Sequence, residues 1–302
     1  MAKLLVHGGA GTIAEDRRPA YRRGLRAALD AGWAALAAGG HAVEAVLRAV
    51  ETMEADAEAF NAGVGGSPNR DGEVELDAAV VDGRDGSAGA VAAVRTAPSA
   101  VRLADLVRRT SPHVLLVGAG ADALVAEPLD PAALLTPHSR AAWARWRSRQ
   151  AEADAAPPPP VGSATVGAVA IDDRGALAAA TSTGGVLGKW PGRVGDAPIV
   201  GAGTYADAGV AVSCTGRGEA FLRAVTAKAL AERLAAGAAL EPALRRALAD
   251  VRAHAGEGGL IAIAADGSVA YGFDTSHLAV GWTDGAAVVA DVLSAAGVTV
   301  IP

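Results

Sequence analysis

Four short stretches in the second half of this chain hold residues whose types and spacing could do chemistry. The first is Thr165, at the seam between a proline-rich run (residues 154–164, with proline throughout 157–160) and an apolar segment, Val166-Gly167-Ala168-Val169-Ala170-Ile171. If the peptide bond between Ala164 and Thr165 breaks, Thr165 becomes an N-terminus with a hydroxyl nucleophile and an α-amine of pKa about 7.7–8.0. One residue then supplies both nucleophile and base. Taken alone, Thr165 reads more simply as an ordinary strand threonine.

The second stretch, Thr181-Ser182-Thr183-Gly184-Gly185, ends a strand in hydroxyls and glycines, and by itself is a turn. The third, Pro191-Gly192-Arg193-Val194-Gly195-Asp196, sets a guanidinium and a carboxylate three residues apart. That pair is either a surface ion pair of little energetic weight or a clamp for a zwitterion, Arg193 forked onto a carboxylate and Asp196 receiving an ammonium. The fourth, Ser213-Cys214-Thr215-Gly216-Arg217-Gly218-Glu219, runs from a strand into a helix. Glycines let backbone N–H groups approach a ligand there, and a helix N-terminus favours negative charge, which suits an oxyanion. The plainer alternative is a tight turn capped by Thr215.

These stretches need elements to position them. Hydrophobic periodicity predicts a strand over 3–6 running into His7-Gly8-Gly9-Ala10-Gly11, helices over 21–38 and 42–53, strands over 74–81 and 88–95, a helix over 100–109, a strand over 114–117 and a helix over 139–151. Beyond the proline run it predicts strands over 166–172, 176–182, 199–202 and 210–213, helices over 219–236 and 241–254, and strands over 260–264, 269–273 and 286–292. Consecutive strands point to antiparallel pairing, and the order strands, helices, strands to an α+β fold of packed sheets with helices outside.

Composition narrows the partners. At 302 residues, 51% hydrophobic and 20% charged, the chain can bury a large core. A net charge of −6 and a pI near 5.5 argue against nucleic acid, and the arginines of 140–149 read as a solvated helix face. A single cysteine, Cys214, rules out an internal disulfide. With no N-terminal signal pattern and no apolar run of about 18 residues, a cytoplasmic protein without a membrane partner is expected.

Read in order, the stretches resemble the plant-type L-asparaginase and isoaspartyl peptidase family of N-terminal nucleophile hydrolases. The likeness covers nearly the whole chain: His7 to Gly11, Phe60-Asn61-Ala62-Gly63, Glu75-Leu76-Asp77-Ala78, Ser111-Pro112-His113-Val114, the segment opened by Thr165, Ala180 to Gly185 and Pro191 to Asp196. It implies one domain with a four-layer αββα sandwich, cleaved into 1–164 (with a linker over about 152–164) and 165–302, and paired as (αβ)₂. By family position Thr165 is the nucleophile, with Thr183 and Thr215 around it and Asn61 near the cleavage site. Arg193 and Asp196 hold the substrate's α-carboxylate and α-amine, and Gly216 and Gly218 line the pocket. The implied substrate is asparagine or a β-aspartyl dipeptide, and no cofactor is needed for catalysis. The loop carrying the carbonyls of Phe60, Ala62 and Val64 resembles one that binds a structural sodium ion.

The chain also departs from the family. Ala164 stands where Gly or Asp is common, which predicts slow cleavage, and Arg217 places a cation between the two pocket glycines. Of the competing readings, the aspartylglucosaminidase branch is usually secreted and disulfide-bonded, unlike this chain, and a catalytically silent relative would remain one uncut chain. A nucleotide-binding protein is suggested by Gly118-Ala119-Gly120 and Gly201-Ala202-Gly203, but neither completes the dinucleotide fingerprint.

Overall fold

Strands buried on both faces, among them Leu76–Asp82, Val166–Ile171 and Leu177–Thr183, form the inside of this protein. The computed structural model describes residues 1–152 and 165–301, so Ala164 and nearly all of the expected linker lie outside the described residues. In the first part the chain forms β1 (Lys3–Gly11), α1 (Arg18–Ala37), α2 (Ala42–Ala55), β2 (Leu76–Asp82), β3 (Ala88–Val94), α3 (Ala100–Thr110), β4 (Leu115–Val117), α4 (Ala119–Asp122) and α5 (Pro137–Glu152). The second part contributes β5 (Val166–Ile171), β6 (Leu177–Thr183), β7 (Thr204–Ala206), β8 (Val210–Gly216), α6 (Gly218–Ala224), α7 (Thr226–Ala235), α8 (Leu240–Ala253), β9 (Gly258–Ala264), β10 (Val269–Phe273), β11 (His277–Thr283), β12 (Val288–Leu293) and β13 (Gly297–Ile301).

The strands form two sheets, ordered β12-β11-β1-β5-β6-β2-β3-β4 and β13-β10-β9-β8-β7. Even-numbered residues of the central strands, such as Val166, Ala168, Ala178 and Ala180, pack in one core with α1, α2 and α3. Their odd-numbered neighbours Val169, Ile171, Leu177 and Ala179 pack with Ala211, Ile261 and Ile263 of the second sheet. The other face of that sheet, through Val212, Leu260 and Ala262, packs with α6, α7 and α8. Side chains that alternate across a strand thus fill two cores at once, so these strands read as continuous apolar runs.

Helix α1 begins with Pro19 in its first turn and buries Tyr21, Leu25, Ala28, Leu29 and Leu36, the stripe of an amphipathic helix. In α5 the four arginines Arg140, Arg145, Arg147 and Arg149 are exposed, as expected for a solvated face. The helix is held instead by Trp143 and Trp146, which cover the backbone of Gly72 and Gly188; a Cβ on Gly188 would stand 2.2 Å from the Trp146 ring. No described helix is long and apolar enough to cross a membrane.

Several expectations needed correction. Residues 199–202 form a turn, with only an isolated bridge between Val200 and Thr204, and the neighbouring strand is β7. Two glycines there, Gly201 at φ +95° and Gly203, favour turning over extension. The helix expected over 219–236 is broken at Val225, which adopts a left-handed φ of 47°. β11 and β13 were not anticipated. Of the glycine triplets, Gly118-Ala119-Gly120 opens a helix of only four residues and Gly201-Ala202-Gly203 is that turn, so neither makes a strand–turn–long-helix phosphate cradle.

Candidate active site

Thr165 and Thr183 meet at adjacent strand ends. β5 and β6 pair antiparallel with Val166 opposite Ser182, which sets Thr165 beside Thr183, and Thr165 Oγ1 donates to Thr183 Oγ1 at 3.1 Å. Thr183 Oγ1 also accepts the Gly185 N–H at 2.9 Å. Both threonines are buried, and strand alternation turns them toward the second sheet.

Further along the same face, glycine is required at 167: a Cβ there would fall 2.0 Å from Ser213 Oγ and 2.4 Å from His7 Nε2. The space it leaves holds a row of buried hydroxyls. His7 Nε2 lies 2.9 Å from Ser213 Oγ, Ser213 Oγ 2.7 Å from Thr181 Oγ1, and Thr181 Oγ1 2.6 Å from Thr204 Oγ1, which donates to Ala197 O at 2.8 Å. Burial pushes His7 down to about 3, against the pull of the Thr165 backbone, so the imidazole is neutral at working pH. Thr215, two residues beyond Ser213 and on the same face, is buried and accepts the Ala10 N–H at 3.3 Å. Gly216 at φ +147° lets β8 meet β9, since a Cβ would stand 2.4 Å from Glu257 O.

Arg193, Asp196 and Gly218 converge. A Cβ on Gly218 would lie 2.8 Å from Arg193 Nη2 and 2.9 Å from Asp196 Oδ1, so glycine keeps the space between the two charged groups open. Asp196 is buried, and its Oδ2 has no hydrogen-bond partner among the described residues. Burial pushes its carboxyl up to about 7, with Arg193 pulling the other way. Arg193 Nε and Nη2 donate to Glu219 Oε1 at 3.0 and 2.9 Å. A guanidinium balanced by one half-exposed carboxylate, beside a buried carboxyl short of donors, can accept a ligand carrying both charges. Arg217 is exposed, and its Nη1 donates to Ala255 O at 3.0 Å.

Asn61 approaches from the first sheet's side. Its Nδ2 donates to Ser67 Oγ at 2.9 Å, and a Cβ on Gly184 would stand 2.5 Å from Asn61 O, so this loop lies against the turn that follows Thr183. Asn61, with Gly8, Gly9, Ala10, Ser67 and His138, lines a cavity of about 310 Å³. Phe60 and Ala62 are buried and Val64 partly so, and their carbonyls accept no hydrogen bond from any described donor. Oxygens left over in this way suit a hard cation.

Sequence reasoning gave no role to the groups that support these residues, although His7, Thr181, Ser182, Ser213 and Glu219 stand within the stretches it singled out. Glu54, on the buried face of α2, accepts from Ser182 Oγ at 2.5 Å, from the Val101 N–H at 3.0 Å, and from Ser99 Oγ. His7, Thr181, Ser213 and Thr204 form the hydroxyl row, and Glu219 steadies Arg193. Polar residues set in apolar strand runs, such as Ser213 in Val-Ala-Val-Ser-Cys-Thr-Gly, were the available signal.

The family described as asparaginase matches residues 1–292. The isoaspartyl peptidase/L-asparaginase of Bos taurus is 42% identical over 86% of this chain and 86% of its own. The isoaspartyl peptidase of Salmonella typhimurium is 41% identical over 93% and 95%, and the plant-type L-asparaginase of Pyrobaculum calidifontis 40% identical over 93% and 97%. Matched by the family over nearly its whole length and 40–42% identical to these relatives, this chain belongs to the asparaginase family.

Proposed function

We propose that this protein hydrolyses the β-amide of L-asparagine and of β-aspartyl dipeptides, with Thr165 as an N-terminal nucleophile exposed by self-cleavage after Ala164. The observation that carries the reading is the buried Thr165–Thr183 pair, on the strand face turned toward the sheet whose β8 ends in Thr215 and Gly216 and leads into Gly218, which lies against Arg193 and Asp196. The relatives named above support it.

In this route Arg193 takes the substrate's α-carboxylate and Asp196 its α-ammonium. Thr165 Oγ attacks the side-chain amide carbon, its own amine accepting the proton directly or through water, while Thr183 orients the hydroxyl. Thr215 and the Gly216 N–H stabilise the oxyanion. The C–N bond breaks, the amine departs with a proton, and a β-aspartyl ester remains on Thr165. Water then hydrolyses the ester to aspartate.

The same reading makes the stack of helices, two sheets and helices a four-layer αββα sandwich forming one domain. It pairs two cleaved αβ units as (αβ)₂ and places the protein in the cytoplasm. It also assigns the carbonyls of Phe60, Ala62 and Val64 to a structural sodium ion that fixes the Asn61 loop. The deciding experiment incubates purified protein and follows it on a denaturing gel alongside ammonia release from asparagine. Two pieces, the smaller beginning at Thr165, together with ammonia release, are expected; a chain that stays whole yet releases ammonia would overturn the mechanism.

A further inference from the structure

The segment Glu75-Leu76-Asp77 has no part in the route above, yet it holds the loop that carries Arg193. Glu75 Oε1 accepts the Gly192 N–H at 3.0 Å and Asp77 Oδ2 the Gly195 N–H at 3.2 Å, so two carboxylates grip the backbone on either side of Arg193. Lys189 Nζ donates to Glu75 O at 2.7 Å and fixes the start of the loop. Glu75, Asp77 and Lys189 are 7%, 0% and 4% exposed. Burying three ionisable groups is unfavourable unless each finds partners, and here Glu75 takes the Gly192 N–H and Asn69 Nδ2, Asp77 two backbone N–H groups, and Lys189 the Glu75 carbonyl.

Asp77 does more than hold a loop. In the ladder between β2 and β6 it stands directly opposite Thr183, the residue that accepts the Thr165 hydroxyl. Its second oxygen, Oδ1, accepts the N–H of Ala93, which adopts a left-handed φ of 52°. One carboxylate therefore joins the strand beside the nucleophile to the loop of the head-group clamp. A free loop would let Arg193 wander relative to Thr165, and misplacement of about 1 Å lowers rates strongly.

We propose that Asp77 is a positioning residue that fixes the clamp of Arg193 and Asp196 at its working distance from Thr165, with Glu75 as a second tether. The inference rests on reading Arg193 as the receptor of the α-carboxylate. Asp77→Asn preserves size but presents an amide N–H to one of two backbone N–H donors. It should raise KM for asparagine about tenfold, as for a buried donor left without its acceptor, with kcat changed less than KM and self-cleavage intact on a gel. The decisive readout is the double variant with Arg193→Ala. If Asp77 acts through the clamp, its effect on kcat/KM vanishes once Arg193 is gone. Full, additive losses in the double variant, or an unchanged KM in Asp77→Asn, would overturn the proposal. An unchanged KM in Arg193→Ala alone would instead overturn the clamp reading. Should Asp77→Asn fail to fold, Glu75→Gln enters the same cycle under the same criteria.

Discussion

Neighbouring residues of β6 look into two buried polar clusters of opposite character. Ser182 faces the helices, where Glu54 takes donors from Ser182, Ser99 and the Val101 N–H. That cluster is satisfied by its own members. Thr181 and Thr183 face the second sheet and the hydroxyl row. Beyond that row, past Ala197, Asp196 Oδ2 keeps a buried oxygen with no described partner, and glycine keeps the space beside it open. Buried polar groups are almost always paired. A cluster closed on itself locks packing, whereas one with unmet demand marks where a ligand completes it.

Removing the nucleophile should separate the clusters most sharply. Thr165→Ala is expected to abolish both self-cleavage and ammonia release, a loss on the order of a millionfold by analogy with other nucleophile deletions. Ser182→Ala, on the other face of the same ladder, should lower Tm but leave measurable turnover. Next comes Arg193→Ala: loss of a charged contact should cost roughly 2–5 kcal/mol in kcat/KM while the two pieces still form, because maturation presents no free α-carboxylate. An Arg193→Ala protein that cleaves poorly, yet whose cleaved fraction turns over normally, would reverse that assignment.

Two smaller effects depend on pH. The Asp196 carboxyl is pushed up to about 7 and receives an ammonium only when ionised. KM for asparagine should therefore rise as pH falls below 7, by about tenfold per unit at the limit, and a flat KM between pH 5 and 8 would remove Asp196 from the clamp. Glu54 is likewise pushed up to about 7 from 4.5 by burial. The folded state then holds a proton that the unfolded chain releases above about 4.5, so the stability this proton confers is present at low pH and is lost as pH rises through 7. Calorimetry of Glu54→Gln should show a Tm less sensitive to pH across that window, with KM unchanged.

Much of this was readable in the chain. Thr165 and the clusters at 181–185, 191–196 and 213–219 stood out because hydroxyls, charges and glycines interrupt apolar strands, and the structure gathers them. The supports were hidden by their own periodicity. Glu54 lies on the buried face of α2 but reads as one more charge near a helix end, and Asp77 sits in a run whose seven residues are all buried. β11 escaped notice because Gly281 and two polar ends break its pattern, and the break at Val225 goes with distant backbone bonds, Ala227 N–H to Ala202 O and Lys228 N–H to Gly201 O, that local sequence does not encode.

The strand order of the larger sheet has a thermodynamic consequence. Along it, β12 and β11 come from beyond residue 165, β1 from before it, β5 and β6 from beyond, and β2, β3 and β4 from before. Once the proposed cut is made, two polypeptides are interdigitated, each supplying strands between those of the other. The smaller piece owns the whole five-stranded sheet, but neither owns the larger one, so they can part only by unfolding together. Melting then turns one particle into two, and its midpoint acquires a dependence on protein concentration that the uncut chain lacks.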